Sequence, residues 1–595
     1  MEKIIEELKS NKWIHYLIIM LIGLIVSIPL FQINIRNTHD GFLHLLRLIG
    51  TDDAIQIGQI PPIIAQNYCN AAGYAMNLFY PGLATYMPLL IKIFTPTYAI
   101  ALKVFGVICI ILSGITMYKF ASEVTNKKVV ALFTAILYII APYKLANVYI
   151  RYAIGEFIAA IFIPLVFLGI YNLFNKDGKK HYYIAIGATG LLLSHTISTL
   201  YTAIFCIIYI LFFVKKLKEK EVIKKCAINT IFTLLMSIMF LLPMFEVTQT
   251  AKYSIMVDNI MGTNGVYTSE NTIQFSQFIQ DIGEENGTTF IIGLPMLLLF
   301  IFSIYGMFKV NKKWKEVYIV FLIFSIVSII MCTKFFPWSY MPNLMCKLQY
   351  PWRMLGYFIF FASLLSAINL QIIIEKVNSK NLKVTIATIA TLIMVFSGIQ
   401  TVSGFIQRDK QKSVEYSTLK NIDEIYENNV IENKKISHMQ INREYLPYKA
   451  LILQNTYMKE REDRIYILQG NAQISNEEKN NLKLTANINN VSENTIIEFP
   501  YIFYPGYDII LNGKTKLKPE ESENGYLSVK IPQDIEIGTI EVEYTGTLIT
   551  KISYIISIFS IIAFFVYLYT QKAFNKKQLG FFKGMMKNVK NIREN

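Results

Sequence analysis

The chain has 595 residues, of which 53% are hydrophobic and only 17% charged, with a formal net charge of +15. Its apolar residues come in repeated blocks of roughly 20, enough to cross about 30 Å of hydrocarbon, and this excludes a soluble enzyme, whose helices carry a polar stripe. In a soluble chain the positive balance would point to nucleic acid; here the lysines cluster in short loops and in the tail, which fits a cytoplasmic membrane face instead.

In chain order, the first apolar block, Trp13–Phe31, follows a mixed-charge start and reads as a retained anchor, with no small-x-small cleavage site after it. Further spans are expected near 98–118, 129–146, 153–174, 183–198, 199–214, 227–245, 289–308, 316–333, 354–374, 384–404 and 550–570, about 12 crossings in all. The stretch 183–214 is too long for one crossing and is split where Ser194, His195, Thr196 and Ser198 interrupt it. The segments between these spans alternate. Lys119–Lys128, Asn175–His181, Lys215–Lys225, Lys309–Lys315 and Glu375–Lys383 are short and lysine-rich, and the tail Gln571–Asn595 is basic.

The positive-inside rule makes that set cytoplasmic, with both termini inside. An even number of crossings follows, so Leu78–Phe94, with Pro81, Gly82 and Pro88, reads as a juxtamembrane or re-entrant piece. The expected organisation is a membrane domain over 1–404 with outer loops 32–97 and 246–288, an extracytoplasmic domain over 405–549, a last span at 550–570 and a basic cytoplasmic tail over 571–595.

The outer domain begins helical and polar. From Arg464 on, alternating runs appear at Ile465 and Ile467, at Leu482, Leu484 and Ala486, and at Leu527, Val529 and Ile531. Tyr504-Pro505-Gly506, Asn512-Gly513 and Asn524-Gly525 supply turns, so the fold expected there is a β-sandwich or an α+β domain. The six cysteines form no Cys-x-x-Cys pair. Cys69 and Cys346 fall in loops on one expected side; a disulfide between them is the less favoured reading.

The richest stretch runs from Thr38 to Arg47. If it is helical, Asp40, His44 and Arg47 share one face, opposite Phe42, Leu45, Leu46 and Ile49. That describes an interfacial helix presenting a base or metal ligand, an imidazole and an anion binder. An ordinary solvated face is about as good a reading. Asp52 and Asp53 could hold a divalent cation such as Mg or Mn, although such pairs more often cap turns.

Glu156 sits just inside an apolar run, five residues after Arg151; an ionisable group there is usually functional or paired. His195 either makes an interhelical hydrogen bond or lines a polar cavity. Gln349, Tyr350, Trp352 and Arg353 precede an apolar span, where a lipid-phosphate clamp competes with an aromatic belt. Acids, histidines and arginines from four distant segments thus fall on one expected face of the membrane.

His39-Asp40, Gly58-Gln59-Ile60-Pro61-Pro62, Ala141-Pro142-Tyr143, Arg151 with Glu156, Pro164-Leu165, Ser194-His195 and Gln349-Tyr350-Pro351-Trp352-Arg353 occur in this order. The set resembles the bacterial membrane proteins labelled "6-pyruvoyl-tetrahydropterin synthase-related". Tyr504-Pro505-Gly506-Tyr507 with Asn512-Gly513-Lys514 looks like the exposed domain of YfhO-type proteins. Both groups resemble GT-C glycosyltransferases. The resemblance implies a many-helix membrane fold, a catalytic acid in the first outer loop, here Asp40, with Glu156 as second acid, and a sugar donor on polyprenyl phosphate, met loosely by Arg353. His39-Asp40 stands where paired acids are common in GT-C proteins, which leaves metal dependence open.

The function read from this is inverting sugar transfer at the outer face to a cell-wall or lipid-linked glycan. Asp40 acts on the acceptor, and Arg353 with Arg151 or Arg47 on the leaving phosphate. The rivals are a transporter or flippase of a lipid-linked substrate, disfavoured by charges gathered at one rim without an internal repeat, and a non-catalytic envelope-assembly scaffold.

Overall fold

The computed structural model describes residues 11–280, 289–415, 443–532 and 537–593. Among these residues eight helices are long and apolar enough to cross a bilayer: Lys12–Gln32, Tyr98–Thr125, Ile154–Asn175, Lys220–Thr250, Lys312–Cys332, Pro351–Glu375, Lys380–Gln411 and Leu548–Gln571. A ninth forms if Lys128–Ile140 and Pro142–Tyr149, bent by 44°, make one span. The chain is a multi-pass membrane protein.

The other expected spans are shorter pieces. Tyr183–Leu192 and Thr196–Leu211 flank a break at His195, and Leu294–Ile301 is followed by Ser303–Lys309. A crossing takes about 20 residues at 1.5 Å each, so the twelve-crossing layout is not carried by single long helices. Leu78–Phe94 contributes the helices Met76–Phe79 and Leu83–Lys92. Ten residues of helix reach about 15 Å, half the hydrocarbon thickness, as a non-crossing piece requires.

Two spans form the centre of the membrane part. Along its most apolar stretch, 94% of the residues of Ile154–Asn175 are buried and 83% of those of Pro351–Glu375, against 11% for Lys380–Gln411. Phe167 on the first packs against Phe360 and Phe361 on the second, with ring centroids 5.0 and 5.6 Å apart. Each central helix carries an ionisable residue at its start, Glu156 in one and Arg353 in the other. Those two groups are in contact, so the two helices begin at the same end of the bundle.

The C-terminal part before the last helix is built from β1 (Tyr466–Gln469), β2 (Gln473–Asn480), β3 (Lys483–Asn489), β4 (Ile496–Ile502), β5 (Tyr507–Leu511), β6 (Thr515–Leu517), β7 (Glu520–Glu521), β8 (Tyr526–Lys530) and β9 (Ile537–Tyr544). They form two antiparallel sheets, ordered β1-β4-β8-β7 and β2-β3-β9-β5-β6. Alternation decides the inward face: Leu484, Ala486 and Ile488 of β3 and Ile540 and Val542 of β9 are buried, and their neighbours point outward. Asn512 and Gly513, both at positive φ, turn β5 into β6. Ahead of β1 the described helices include the end of Lys380–Glu415, which continues a span, and Tyr448–Ile452; residues 416–442 lie outside the described ones, as do 281–288 of the loop 246–288.

The sheets are fixed to the first loop by aromatic stacking. Phe79 and Tyr445 lie parallel at 5.2 Å, Tyr253 and Tyr504 at 5.8 Å, and Phe79 meets Tyr253 at 5.0 Å. Backbone bonds add to this: Ile502 N–H donates to Ala72 O at 2.8 Å, and Tyr445 N–H to Tyr74 Oη at 3.2 Å.

Candidate functional site

The site begins with how the first loop docks. His39 N–H donates to Ile150 O at 3.0 Å and Asp40 N–H to Arg151 O at 2.8 Å, so the Thr38–Asp40 backbone lies along the turn carrying Arg151. Asp40 occupies the N-cap position of the helix Gly41–Gln56, where an Asp side chain ordinarily accepts from the first free N–H groups. Here it caps nothing. Thr38 Oγ1 accepts from Gly41 N–H at 3.1 Å instead. A Cβ on Gly41 would fall 2.2 Å from that hydroxyl, so only glycine permits the approach. The carboxylate is thereby released from the backbone.

Arg151, Glu156 and Arg353 form the adjoining cluster. Glu156 Oε1 accepts from Arg151 Nη2 at 2.9 Å and lies 3.1 Å from Arg353 Nε. Its other oxygen accepts from Tyr143 Oη and Asn147 Nδ2, each at 3.2 Å. Asn147 Oδ1 in turn takes Arg151 Nη1 at 2.6 Å. Arg353 Nη1 is held by Leu348 O at 2.8 Å and Gln349 Oε1 at 3.2 Å. Trp352 lies under Arg151, with its ring centroid 4.5 Å from the guanidinium carbon. Side-chain exposures of 4% for Arg151, 10% for Glu156 and 15% for Arg353 remove most water screening from these charges. Two flanking residues hold left-handed backbone without being glycine, Tyr152 at φ 50° and Gln349 at φ 63°. Such strain persists where the surroundings fix both neighbours in place.

Asp40 faces this cluster. Burial raises its carboxyl above the ordinary value, while the fields of Arg151, Arg353 and His39 pull it down and that of Glu156 pushes it up. The carboxylate accepts no hydrogen bond from the described residues. His195 lies beside the cluster, within the fields of Glu156, Arg353 and Arg151. Its Nδ1 lies 2.8 Å from Ser198 Oγ and accepts from Ser198 N–H at 3.3 Å, which leaves Nε2 to carry the proton of the neutral ring. Gly155 lies against it: a Cβ there would come within 2.8 Å of His195 Cδ2 and 3.0 Å of Tyr80 Oη.

The structure thus brings together His39, Asp40, Arg151, Glu156, His195, Gln349, Trp352 and Arg353, from four segments of the chain. It separates others. The helix Gly41–Gln56 is no interfacial helix with a solvated polar face: His44 and Arg47 are buried along with Leu45, Leu46 and Ile49. Arg47 Nη1 donates to His44 Nδ1 at 2.9 Å, and the guanidinium covers the Tyr80 ring at 3.8 Å. Burial and Arg47 hold His44 well below the usual imidazole value, hence neutral.

Asp52 bonds Tyr98 and Gln56, and Asp53 accepts from Asn67 at 3.1 Å. Twelve helical residues put Asp52 about 18 Å from Asp40, too far to share an ion. No group of three His, Cys, Asp or Glu suited to a metal occurs among the described residues. Cys69 and Cys346 are buried and free.

Sequence reasoning did not single out Asn147 or Tyr80, and it took Tyr143 only as part of a motif. Tyr143 and Asn147 stand four apart on Pro142–Tyr149, a spacing that puts both on one helix face. Tyr80 carries no such signal, since only the fold brings it to Gly155.

No family model matches the chain. It is similar to an uncharacterized protein of Lactococcus lactis subsp. cremoris (strain MG1363), 26% identical, with 97% of this chain and 98% of the relative covered. It also shows a weak likeness to the crystal structure of the Archaeoglobus fulgidus oligosaccharyltransferase in complex with Zn and sulfate. That likeness has a TM-score of 0.35 at 14% identity, covers 66% of this chain and spans about half, 53%, of the other.

Proposed function

We propose that this protein is a membrane glycosyltransferase of the plasma membrane, with both termini cytoplasmic. In this reading it transfers a sugar from a polyprenyl-phosphate donor to an envelope glycan at the outer face. The observation that carries the reading is the pairing of an uncapped, unbonded carboxylate, Asp40, with two shielded guanidiniums, Arg151 and Arg353, that Glu156 holds in place. A carboxylate raised by burial is a competent base. Buried arginines are suited to a phosphate oxygen anion.

The step balances. Asp40 takes the proton of an acceptor hydroxyl as that oxygen bonds to the anomeric carbon. The bond from that carbon to the phosphate oxygen breaks with its electron pair, and polyprenyl phosphate leaves with one more negative charge. Two arginines and two carboxylates sum to zero before transfer and to +1 once Asp40 is protonated, which matches the charge the leaving group gains. Glu156, with every contact directed to Arg, Tyr or Asn, serves as a positioning residue. His195 Nε2 and Tyr80 stand as donors toward sugar hydroxyls.

The charges gather at one end of the two central helices, which favours this reading over a transporter with midplane sites. The test is release of polyprenyl phosphate from a radiolabelled polyprenyl-phosphate sugar by the purified protein with membrane glycan extract. Label movement across the bilayer without release would indicate a flippase; neither would leave an assembly scaffold.

A further inference from the structure

At the far end of the helix Gly41–Gln56, about 24 Å from Asp40, lies a cavity. Its volume is about 360 Å³, and its walls come from three parts of the chain: the loop after that helix, the start of β3 with the end of β9, and the first turn of the last span. Gln59, Asn481, Lys483, Glu543, Thr545 and Lys551 supply its polar lining. These groups offer amide, hydroxyl, carboxylate and ammonium contacts, a set that matches a phosphate bearing free hydroxyls.

Lys483 lies 3.8 Å from Glu543 and is partly neutralised. Lys551 has no ion-pair partner among the described residues, so the cavity keeps one uncompensated cation. Its rim is apolar. Ile60, on the loop wall, is 84% exposed, and Leu548, Ile552 and Ile555 around Lys551 are exposed along a helix apolar enough to span the membrane. Tyr86 and Tyr554, with hydroxyls 2.8 Å apart, join the half-length helix Leu83–Lys92 to that span just beneath. A ligand free in water has no use for such a rim. A lipid, with its chains beside the last helix and its headgroup under Lys551, satisfies both halves.

We infer that this cavity binds the headgroup of an anionic, hydroxyl-bearing membrane lipid, at a site separate from the Asp40 cluster and independent of what that cluster does. The experiment uses full-length protein in nanodiscs of mixed phosphatidylglycerol and phosphatidylcholine, with retained lipid counted by native mass spectrometry. Retention of phosphatidylglycerol over phosphatidylcholine is expected, weakened about fivefold by Lys551→Gln, the factor for one lysine at a membrane surface. Lys514→Gln, in the exposed β5–β6 turn, should leave retention unchanged.

Equal retention in wild type and Lys551→Gln overturns the site, as does an equal loss in Lys514→Gln, which would mean diffuse attraction. Glycerol 1-phosphate or inorganic phosphate distinguishes the source. If either binds in detergent with Lys551-dependent affinity while phosphatidylglycerol does not, the lipid assignment falls.

Discussion

One oxygen, Glu156 Oε1, holds two guanidiniums: Arg151 donates to it at 2.9 Å, and Arg353 brings Nε to 3.1 Å. The second contact is an ion pair without hydrogen-bond alignment, since Arg353 Nε has no hydrogen-bond partner. Arg353 is therefore held near the cluster by charge and by Leu348 O and Gln349, with Nη2 left for another acceptor.

Removing that charge should be costly. Glu156→Gln leaves two shielded cations facing each other, and breaking a buried pair by removing one partner costs about 3–5 kcal/mol. The loss should shrink when Arg353→Gln is added. A double-mutant cycle by denaturation in detergent reads the coupling. Additive losses would mean that Glu156 and Arg353 do not interact in the folded protein.

Asp40 is expected to behave oppositely. Its carboxyl is raised in the fold, so its protonated form is favoured there. That stabilisation is full below the unfolded value and is lost as pH rises through the folded one. At neutral pH the ionised group is a net cost, and Asp40→Asn should raise the melting temperature while transfer falls about 10²–10⁴-fold. The difference in melting temperature should vanish in acid. The acid limb of transfer should lie above the ordinary carboxylate value of 3.8, and Arg353→Gln should move it higher by removing a cation that pulls it down. A destabilised Asp40→Asn protein, or an unmoved limb, would contradict this account.

What the sequence made legible follows from range. Blocks of apolar residues report spans because each residue meets the same solvent, and the alternation of β3 reports a strand because each side chain meets one of two faces. Arg151 with Glu156 was readable as a local pair, and Gln349 to Arg353 as one cluster before a span. The surroundings of the helix Gly41–Gln56 were not. Asp40, His44 and Arg47 share spacing, yet Tyr80 covers Arg47 and Thr38 takes the cap, and both facts depend on tertiary packing. The polar β2, with sequence QISNEEKN, has no apolar face to announce it, and it pairs because β3 offers its edge.

Orientation has its own test, motivated by the lysine-rich segments alternating along the chain. Five of the six cysteines are buried, so replacing Cys226 by Ser leaves a quiet background for labelling. Lys514→Cys, in an exposed turn, should react with an impermeant maleimide on intact cells, and Asn588→Cys in the basic tail should react only after lysis. Tail labelling from outside would reverse the proposed topology.

The donor contact is tested most sharply by Arg353→Lys. Nη1 of Arg353 is committed to Leu348 O and Gln349 Oε1, and Nε faces Glu156, so the remaining nitrogen can meet a phosphate oxygen while the others fix the plane. A lysine keeps the charge but has one nitrogen to serve all these acceptors, and it lacks the rigid fork. The affected quantity should be donor use: KM for the polyprenyl-phosphate sugar rising about tenfold, the equivalent of one charge-assisted bond of about 1.4 kcal/mol, with the acceptor KM unchanged. Turnover across donor concentrations, in purified wild-type and Arg353→Lys protein, gives both constants. Superimposed curves would make Arg353 a structural partner of Glu156 alone, and the phosphate contact would pass to Arg151.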